Sequence, residues 1–238
     1  MTGKIYKSNA DKMYRALLKN IFFFQRLENN EKSNPSAKQQ DYSKEKIENF
    51  DFIVALSFLI FIGIWLFPII GLIIKCSSQG PVYFRQLRHG KDNQPFYCLK
   101  FRTMIINDKA DTLQAQKGDQ RITKFGFFLR KSSLDELPQL INILKGEMSL
   151  VGPRPHAVPM NEIFSDKIPG YMLRHTIKPG LTGLAQSRGF RGEIRNWQDL
   201  YGRYRLDMFY LKKKNRILDL KILFWTGKSL FFNNRNAY

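Results

Sequence analysis

Cysteine is nearly absent: Cys76 and Cys98 are the only two in 238 residues. That is too few for the disulfide framework of a small secreted domain, and with no CxxC pair there is no zinc knuckle either. A reducing, cytosolic environment is the default. Histidine is as sparse, and His89, His156 and His175 are too scattered to read as a metal cluster. Acids are scarce beside bases, 20 against 39, for a formal net charge of +19. The excess predicts attraction to polyanions, whether phosphates, nucleic acid or anionic lipid, without choosing among them. At 43% apolar residues the composition excludes a collagen and a wholly disordered chain, and the length fits one ordinary domain with appended segments. The early apolar stretch Ile21 to Phe24 is far shorter than the ~7 to 15 residues of a signal-peptide core.

Residues 28–49 are rich in Asn, Lys, Glu, Ser and Gln around a lone Pro35, a composition that cannot bury a core and reads as a linker. Before it, in residues 1–27, Met13, Leu17, Ile21 and Phe24 recur at helical spacing among Lys12, Arg15, Lys19 and Arg26. This is a basic amphipathic helix, suited to a membrane surface or to packing on the rest of the protein. Within residues 50–75, Phe52 to Ile74 runs 23 residues without a charge. At ~1.5 Å per residue such a helix reaches ~34 Å, enough for the hydrocarbon core of a bilayer. Pro68 inside it removes a backbone donor and frees the carbonyl of Ile64, which predicts a kink. The flanks, residues 32–51 and 75–94, carry four basic residues each. A spanning helix normally shows a Lys/Arg excess on one side, so the equal flanks favour a re-entrant helix hairpin over a simple span.

Residues 76–238 form the remaining region. Val82 to Gln86 and Phe96 to Arg102, separated by Gly90-Lys91-Asp92-Asn93, predict a β-hairpin. From Arg121 onward helical spacing dominates; Leu134, Leu137, Ile141 and Leu144 mark an amphipathic helix stopped near Gly146. Residues 201–238 hold nine basic residues and two acids, and the cluster Lys212 to Arg216 runs directly into Ile217 to Trp225. That join suits an anionic membrane interface, or else a core helix with a charged end. The fold class expected is α+β and predominantly helical: a membrane-embedded re-entrant hairpin, a small cytoplasmic catalytic domain and interfacial amphipathic helices.

Ser133-Leu134-Asp135-Glu136 has the spacing of a helix capping box, which needs no catalysis to explain it. Pro138 complicates that assignment, because proline is best tolerated at a first helical position. A helix starting there leaves both acids just ahead of its positive end. Arg121, Lys124, Arg130, Lys131 and Arg154 surround the pair in sequence, and opposite charges lower a carboxylate's pKa and keep it ionised. An ionised Asp can attack phosphorus while its neighbour holds a divalent metal. In Gly152-Pro153-Arg154-Pro155 two prolines stiffen the chain around one arginine, which makes either a phosphate fork or simply a turn. Lys100 and Arg102 share one side of a strand, as phosphate ligands or as a solvated face.

Taken together, KCSSQGP at 75–81, KFRTM at 100–104, RITKFGFFLRKSSLDELPQLINILKGEMSLVGPRP at 121–155 and KPGLTGLAQ at 178–186 resemble the bacterial sugar transferases, the monotopic polyprenyl-phosphate phosphoglycosyl transferases. The resemblance covers about Asn49 to the C-terminus. It implies transfer of a sugar 1-phosphate from a UDP-sugar to undecaprenyl phosphate, with release of UMP, at the cytoplasmic face of the bacterial inner membrane. The reaction begins assembly of a capsule, exopolysaccharide or O-antigen repeat. The resemblance makes Asp135 the nucleophile and Glu136 the Mg²⁺ ligand, with Lys100, Arg102, Arg130 and Arg154 as phosphate-binding residues. Ping-pong kinetics follow from a covalent intermediate. Inner-membrane lipid is a partner on this reading and nucleic acid is not.

The family's membrane segment is a re-entrant helix broken near a Ser-Pro pair, here Phe67-Pro68, so a hydroxyl that could satisfy the freed carbonyl is missing. Larger members carry spanning helices and a soluble domain before the catalytic part; this chain is expected to have neither. His156-Ala157, residues 189–193 (GFRGE) and the terminal Asn-Ala-Tyr look most like members that use UDP-glucose or a related hexose. A membrane-tethered nucleic-acid or anionic-lipid adaptor would account for the charge, and a scaffold for the amphipathic ends, but neither needs the acidic pair.

Overall fold

The computed structural model describes residues 49–107, 115–116 and 118–232. The amphipathic helix expected in residues 1–27, all but the end of the 28–49 linker, and the terminal Asn-Ala-Tyr lie outside these.

The apolar run is helical from end to end: α1 (Asn49–Phe58), a π-helical turn (Leu59–Gly63) and α2 (Ile64–Ser77). It is long and apolar enough to cross a membrane. Pro68 lies inside α2 without ending it, and the irregular backbone falls one turn earlier, in the π segment. A π turn re-routes hydrogen bonds by one residue, and here Ile64 N–H reaches the carbonyl of Leu59.

Both halves of this helix pack on the same body. Buried Ala55, with Phe58 and Leu59, joins the main core of Leu140, Ile143, Met148 and Leu150. Leu66, Phe67, Ile70 and Ile74 pack with Phe101 and Leu129. Leu137 touches both clusters. Polar ties reinforce each end. Near the start, Asp51 accepts from Ser149 Oγ and from the Leu150 N–H (3.0 Å). At the end, Arg102 donates to the carbonyls of Ile74, Ser78 and Gln79, satisfying the orphan acceptors of a helix C-terminus. Between these ties Phe61 and Trp65 are 76% and 73% exposed.

The hairpin forms as expected: β1 (Tyr83–His89) and β2 (Pro95–Phe101) pair antiparallel from Tyr83↔Phe101 to His89↔Pro95. Asp92 and Asn93 take left-handed backbone in the turn, the conformation Asp and Asn tolerate best after glycine. Next comes α3 (Lys124–Ser132), capped by Thr123 Oγ1, which accepts from the Gly126 N–H. Gly126 is required: a Cβ there would sit 2.0 Å from the carbonyl oxygen of Thr103.

The expected helix over Leu134 to Leu144 is divided. Leu134–Glu136 is a 3₁₀ turn, and α4 (Gln139–Leu144) begins only after Pro138. Gly146 stops the chain in left-handed conformation, as anticipated. The capping box does not form. Ser133 is itself left-handed (φ 60°), ends α3, and makes no side-chain cap.

A second small sheet, absent from the sequence reading, pairs β3 (Ser149–Val151) parallel with β4 (Gly180–Thr182). The remaining elements are α5 (Val158–Lys167), a 3₁₀ segment (Tyr171–His175), α6 (Leu184–Ser187), α7 (Trp197–Lys213) and α8 (Arg216–Phe232). In α8, Ile222 is buried and Leu218 and Leu223 pack on the main core, whereas Ile217, Leu220 and Phe224 are exposed. The architecture is mostly helical with little sheet.

Candidate active site

Because α3 ends at left-handed Ser133 and α4 cannot begin before Pro138, the 3₁₀ turn between them places two consecutive carboxylates in different surroundings. Asp135 lines a cavity of about 380 Å³ and is only 7% exposed. Glu136 is engaged by cations: its Oε1 accepts from Lys100 Nζ (2.7 Å) and from Arg154 Nη2 (2.6 Å), and Oε2 accepts from Arg154 Nη1 (3.3 Å). Lys100 Nζ stands 4.0 Å from Asp135 Oδ2 and so bridges the pair.

These surroundings separate the two acids. Burial pushes Asp135 up to about 6; Lys100 offsets part of this, and the charge on Glu136 adds to it. Burial would also raise Glu136, but Arg154 and Lys100 outweigh it and hold that carboxyl well below its ordinary value. The expectation that neighbouring cations simply depress both carboxylates is thus corrected for Asp135, where desolvation wins. An acid titrating near 6 beside one that stays ionised is the pattern of a site that divides roles between carboxylates.

Of the cations singled out from sequence, Lys100, Arg102, Arg130 and Arg154 all line this cavity. Their commitments differ. Lys100 and Arg154 clamp Glu136. Arg130 holds Thr103 Oγ1 through Nε (2.8 Å), with its charge acting on Asp135. Arg102 is spent largely on the end of α2; β2 stops at Phe101, so strand alternation does not govern where it points. Arg121 pairs with Asp119 (2.6 Å), and Lys124 and Lys131 are exposed on α3. These three do not gather at the acids.

Among the described residues no three His, Cys, Asp or Glu side chains are placed to hold a metal ion. Mg²⁺, however, is commonly held by one or two carboxylates together with substrate phosphates, and Glu136 is the carboxylate that would serve here.

Residues 43–233 match the family described as bacterial sugar transferase. The chain belongs to this family. A Klebsiella pneumoniae protein named UDP-glucose:undecaprenyl-phosphate glucose-1-phosphate transferase is 48% identical over 189 residues, 79% of this chain and 40% of that protein. An Escherichia coli (strain K12) protein of the same name is 51% identical over 166 residues, 69% of this chain and 36% of its own. A third, from Caulobacter vibrioides, is 45% identical over 187 residues, 78% of this chain and 70% of its length. The chain thus spans about two fifths of the first two relatives it matches.

In this sugar transferase, sequence reasoning missed the layer behind Arg154. Arg174, 1% exposed, donates to Asp207 Oδ2 (2.6 Å), to the carbonyl of Arg154 (2.8 Å) and to His156 Nδ1 (3.1 Å). A signal was available in α7. Leu200, Tyr204 and Met208 define its buried face, and Arg203 and Asp207 lie buried with them, although a core-facing stripe is ordinarily apolar.

Proposed function

We propose that this bacterial sugar transferase moves a sugar 1-phosphate, with glucose or a related hexose as the sugar, from a UDP-sugar to undecaprenyl phosphate. An ionised Asp135 oxygen forms a bond to the sugar-bearing phosphorus, the bond to the second phosphate breaks, and UMP leaves with the electron pair. The lipid phosphate then attacks the same phosphorus and releases the carboxylate. The product starts a polysaccharide repeat such as a capsule, exopolysaccharide or O-antigen.

One observation carries this reading: Asp135 is a nearly buried carboxylate on the wall of a cavity whose other charged lining residues are Arg88, Lys100, Arg102, Arg130, Arg154 and Arg203. Among the described residues, one acid among six cations suits a nucleophile facing polyanionic substrates, since fixed positive charge offsets the repulsion between carboxylate and phosphate. The names of the relatives agree in donor and acceptor. Glu136 would hold Mg²⁺ together with diphosphate oxygens. The ion, when bound, would neutralise charge on the transferred phosphoryl group.

A membrane setting brings the substrates together, because UDP-sugar is soluble and the polyprenyl headgroup lies at the bilayer surface. The re-entrant arrangement is supported by the packing of both helix halves on one body. A straight helix of the 29 residues Asn49–Ser77 would be ~43 Å long and would carry its ends to opposite sides of a bilayer. Asp51 and Ile74 both make polar contacts with the domain that follows the helix, which we assign to the cytoplasmic face of the inner membrane.

The test is incubation of purified protein with radiolabelled UDP-glucose, Mg²⁺ and undecaprenyl phosphate, monitoring UMP and protein-bound label. Asp135→Asn is expected to abolish both; undiminished UMP release in that variant overturns the assignment.

A further inference from the structure

The cavity has a second wall that the acids do not explain. Arg88, His156 and Arg203 line it, and each carries a buried N–H without a partner: Arg88 Nε, His156 Nε2 and Arg203 Nε. Other nitrogens of the two arginines anchor their guanidinium groups. Arg88 donates to the Pro155 carbonyl (2.6 Å) and to Gln86 Oε1 (2.8 Å), and Arg203 donates to the Gly192 carbonyl (2.9 Å).

The tautomer of His156 follows from its neighbours. Its Nδ1 lies 3.1 Å from Arg174 Nη1 and 2.7 Å from the Tyr171 hydroxyl. A guanidinium only donates, so the tautomer that avoids a donor facing a donor accepts at Nδ1 and carries its proton on Nε2, with the Tyr171 hydroxyl as a second acceptor for Arg174 Nη1 at 3.3 Å. The ring is 5% exposed, edge-on to Phe164 and stacked with Tyr171. Burial, and then the charges of Arg174, Arg203, Arg154 and Arg88, hold its pKa well below the ordinary value. Burial and these charges favour the neutral ring.

A buried donor left unpaired costs free energy comparable to a lost hydrogen bond, and native proteins leave few. Three lie on residues that line one wall of the cavity, each just beneath its surface, and a ligand that only accepts would satisfy them after small side-chain movements. Guanidinium forks and a neutral donor suit phosphate oxygens. We propose that Arg88, His156 and Arg203 form a second phosphate subsite, which holds the phosphate of the departing nucleoside monophosphate while Asp135 takes the sugar-bearing one. Arg154 links the two halves: its charge acts on both Asp135 and His156. As the bridging P–O bond breaks, the departing phosphate gains charge, which the fixed cations of this wall offset.

The inference rests on the proposed reaction, and its test separates the two. UMP binding to the Asp135→Asn protein is measured by calorimetry, with and without His156→Leu or Arg203→Met; His156→Gln, which retains an N–H, serves as rescue and circular dichroism as the folding control. Each apolar substitution is expected to weaken UMP binding at least about tenfold, with His156→Gln recovering part of it. In proteins retaining Asp135, formation of the labelled adduct from UDP-glucose slows by a similar factor, whereas discharge of preformed adduct by undecaprenyl phosphate is unchanged. Absence of UMP binding in the parent protein, UMP binding indifferent to both substitutions, or a defect confined to discharge, which would assign the wall to the lipid phosphate, each overturns the subsite. UMP binding that depends on His156, without adduct from any UDP-sugar, leaves the subsite standing and removes the proposed reaction.

Discussion

The guanidinium of Arg174 donates to the main-chain carbonyl of Arg154 at 2.8 Å, so the arginine that clamps Glu136 is itself gripped from behind. Arg174 in turn depends on Asp207, which is 3% exposed. Two layers of charge, one facing the cavity and one in the core, meet at a single proline-flanked residue.

Replacing Asp207 by Asn leaves the Arg174 charge buried without its counter-ion. The expected loss of stability is about 3 to 5 kcal/mol, read by chemical denaturation. A loss below about 1 kcal/mol would mean that the pair contributes little beyond a surface ion pair.

The adduct-forming step should depend on an ionised Asp135. With that carboxyl at about 6, the rate of labelling by UDP-glucose is expected to fall tenfold per unit as pH drops below about 6. A profile flat down to pH 4.5 contradicts the titration of Asp135.

The same shift has a stability consequence of opposite sense. Its folded pKa of about 6 exceeds the ordinary 3.8, so the carboxyl costs nothing when both states are protonated, below about 3.8. The cost grows as pH rises towards 6 and is complete above it. Asp135→Asn should therefore raise the melting temperature at pH 7.5, by a gain on the order of 3 kcal/mol, and leave it unchanged near pH 3.5. A variant less stable than the parent at pH 7.5 contradicts this.

Gly126→Ala should destabilise by about 1 to 3 kcal/mol through overpacking, because the added methyl meets the Thr103 carbonyl. Arg130 rides on α3 and holds Thr103 Oγ1, so adduct formation should also slow. Unaltered stability would show that α3 can slide away from Thr103.

Helix topology can be read with a membrane-impermeant maleimide on sealed inverted vesicles. Cys76 is free and exposed and Cys98 is buried, so Asn49→Cys adds one label at the opposite end of the helix. Both ends should react from the outside of these vesicles. Reaction at one end only would establish a spanning helix.

Much of this arrangement is legible in the sequence because it rests on local rules. The hairpin follows from alternation around a polar loop, the stop at Gly146 from left-handed backbone, and the position of the acids from the restriction Pro138 places on α4. The capping box is a local rule that loses: a left-handed Ser133 cannot turn its hydroxyl to the first turn, and the Glu136 side chain goes to Lys100 and Arg154 instead. Long-range features leave no such trace. The β3–β4 pair consists of three-residue strands some 30 residues apart, brought together at Gly152 and Gly180, where a Cβ on Gly180 would lie 2.0 Å from the Gly152 nitrogen. The strand stops one residue short of its expected end, at Phe101, and Arg102 turns its guanidinium to the carbonyls at the end of α2 while still lining the cavity. The partners of His156, namely Arg174 and Tyr171, become visible only once the chain has folded.

Ala55, Ile70 and Ile74 complete the interior of the very domain they anchor. A truncated protein made without residues 49–77 would therefore gain no solubility. It would open Ile143, Met148, Phe101 and Leu129 to water and take from Arg102 the Ile74 carbonyl it caps. Formation of the apolar helix and completion of the domain core are, on this account, a single folding event.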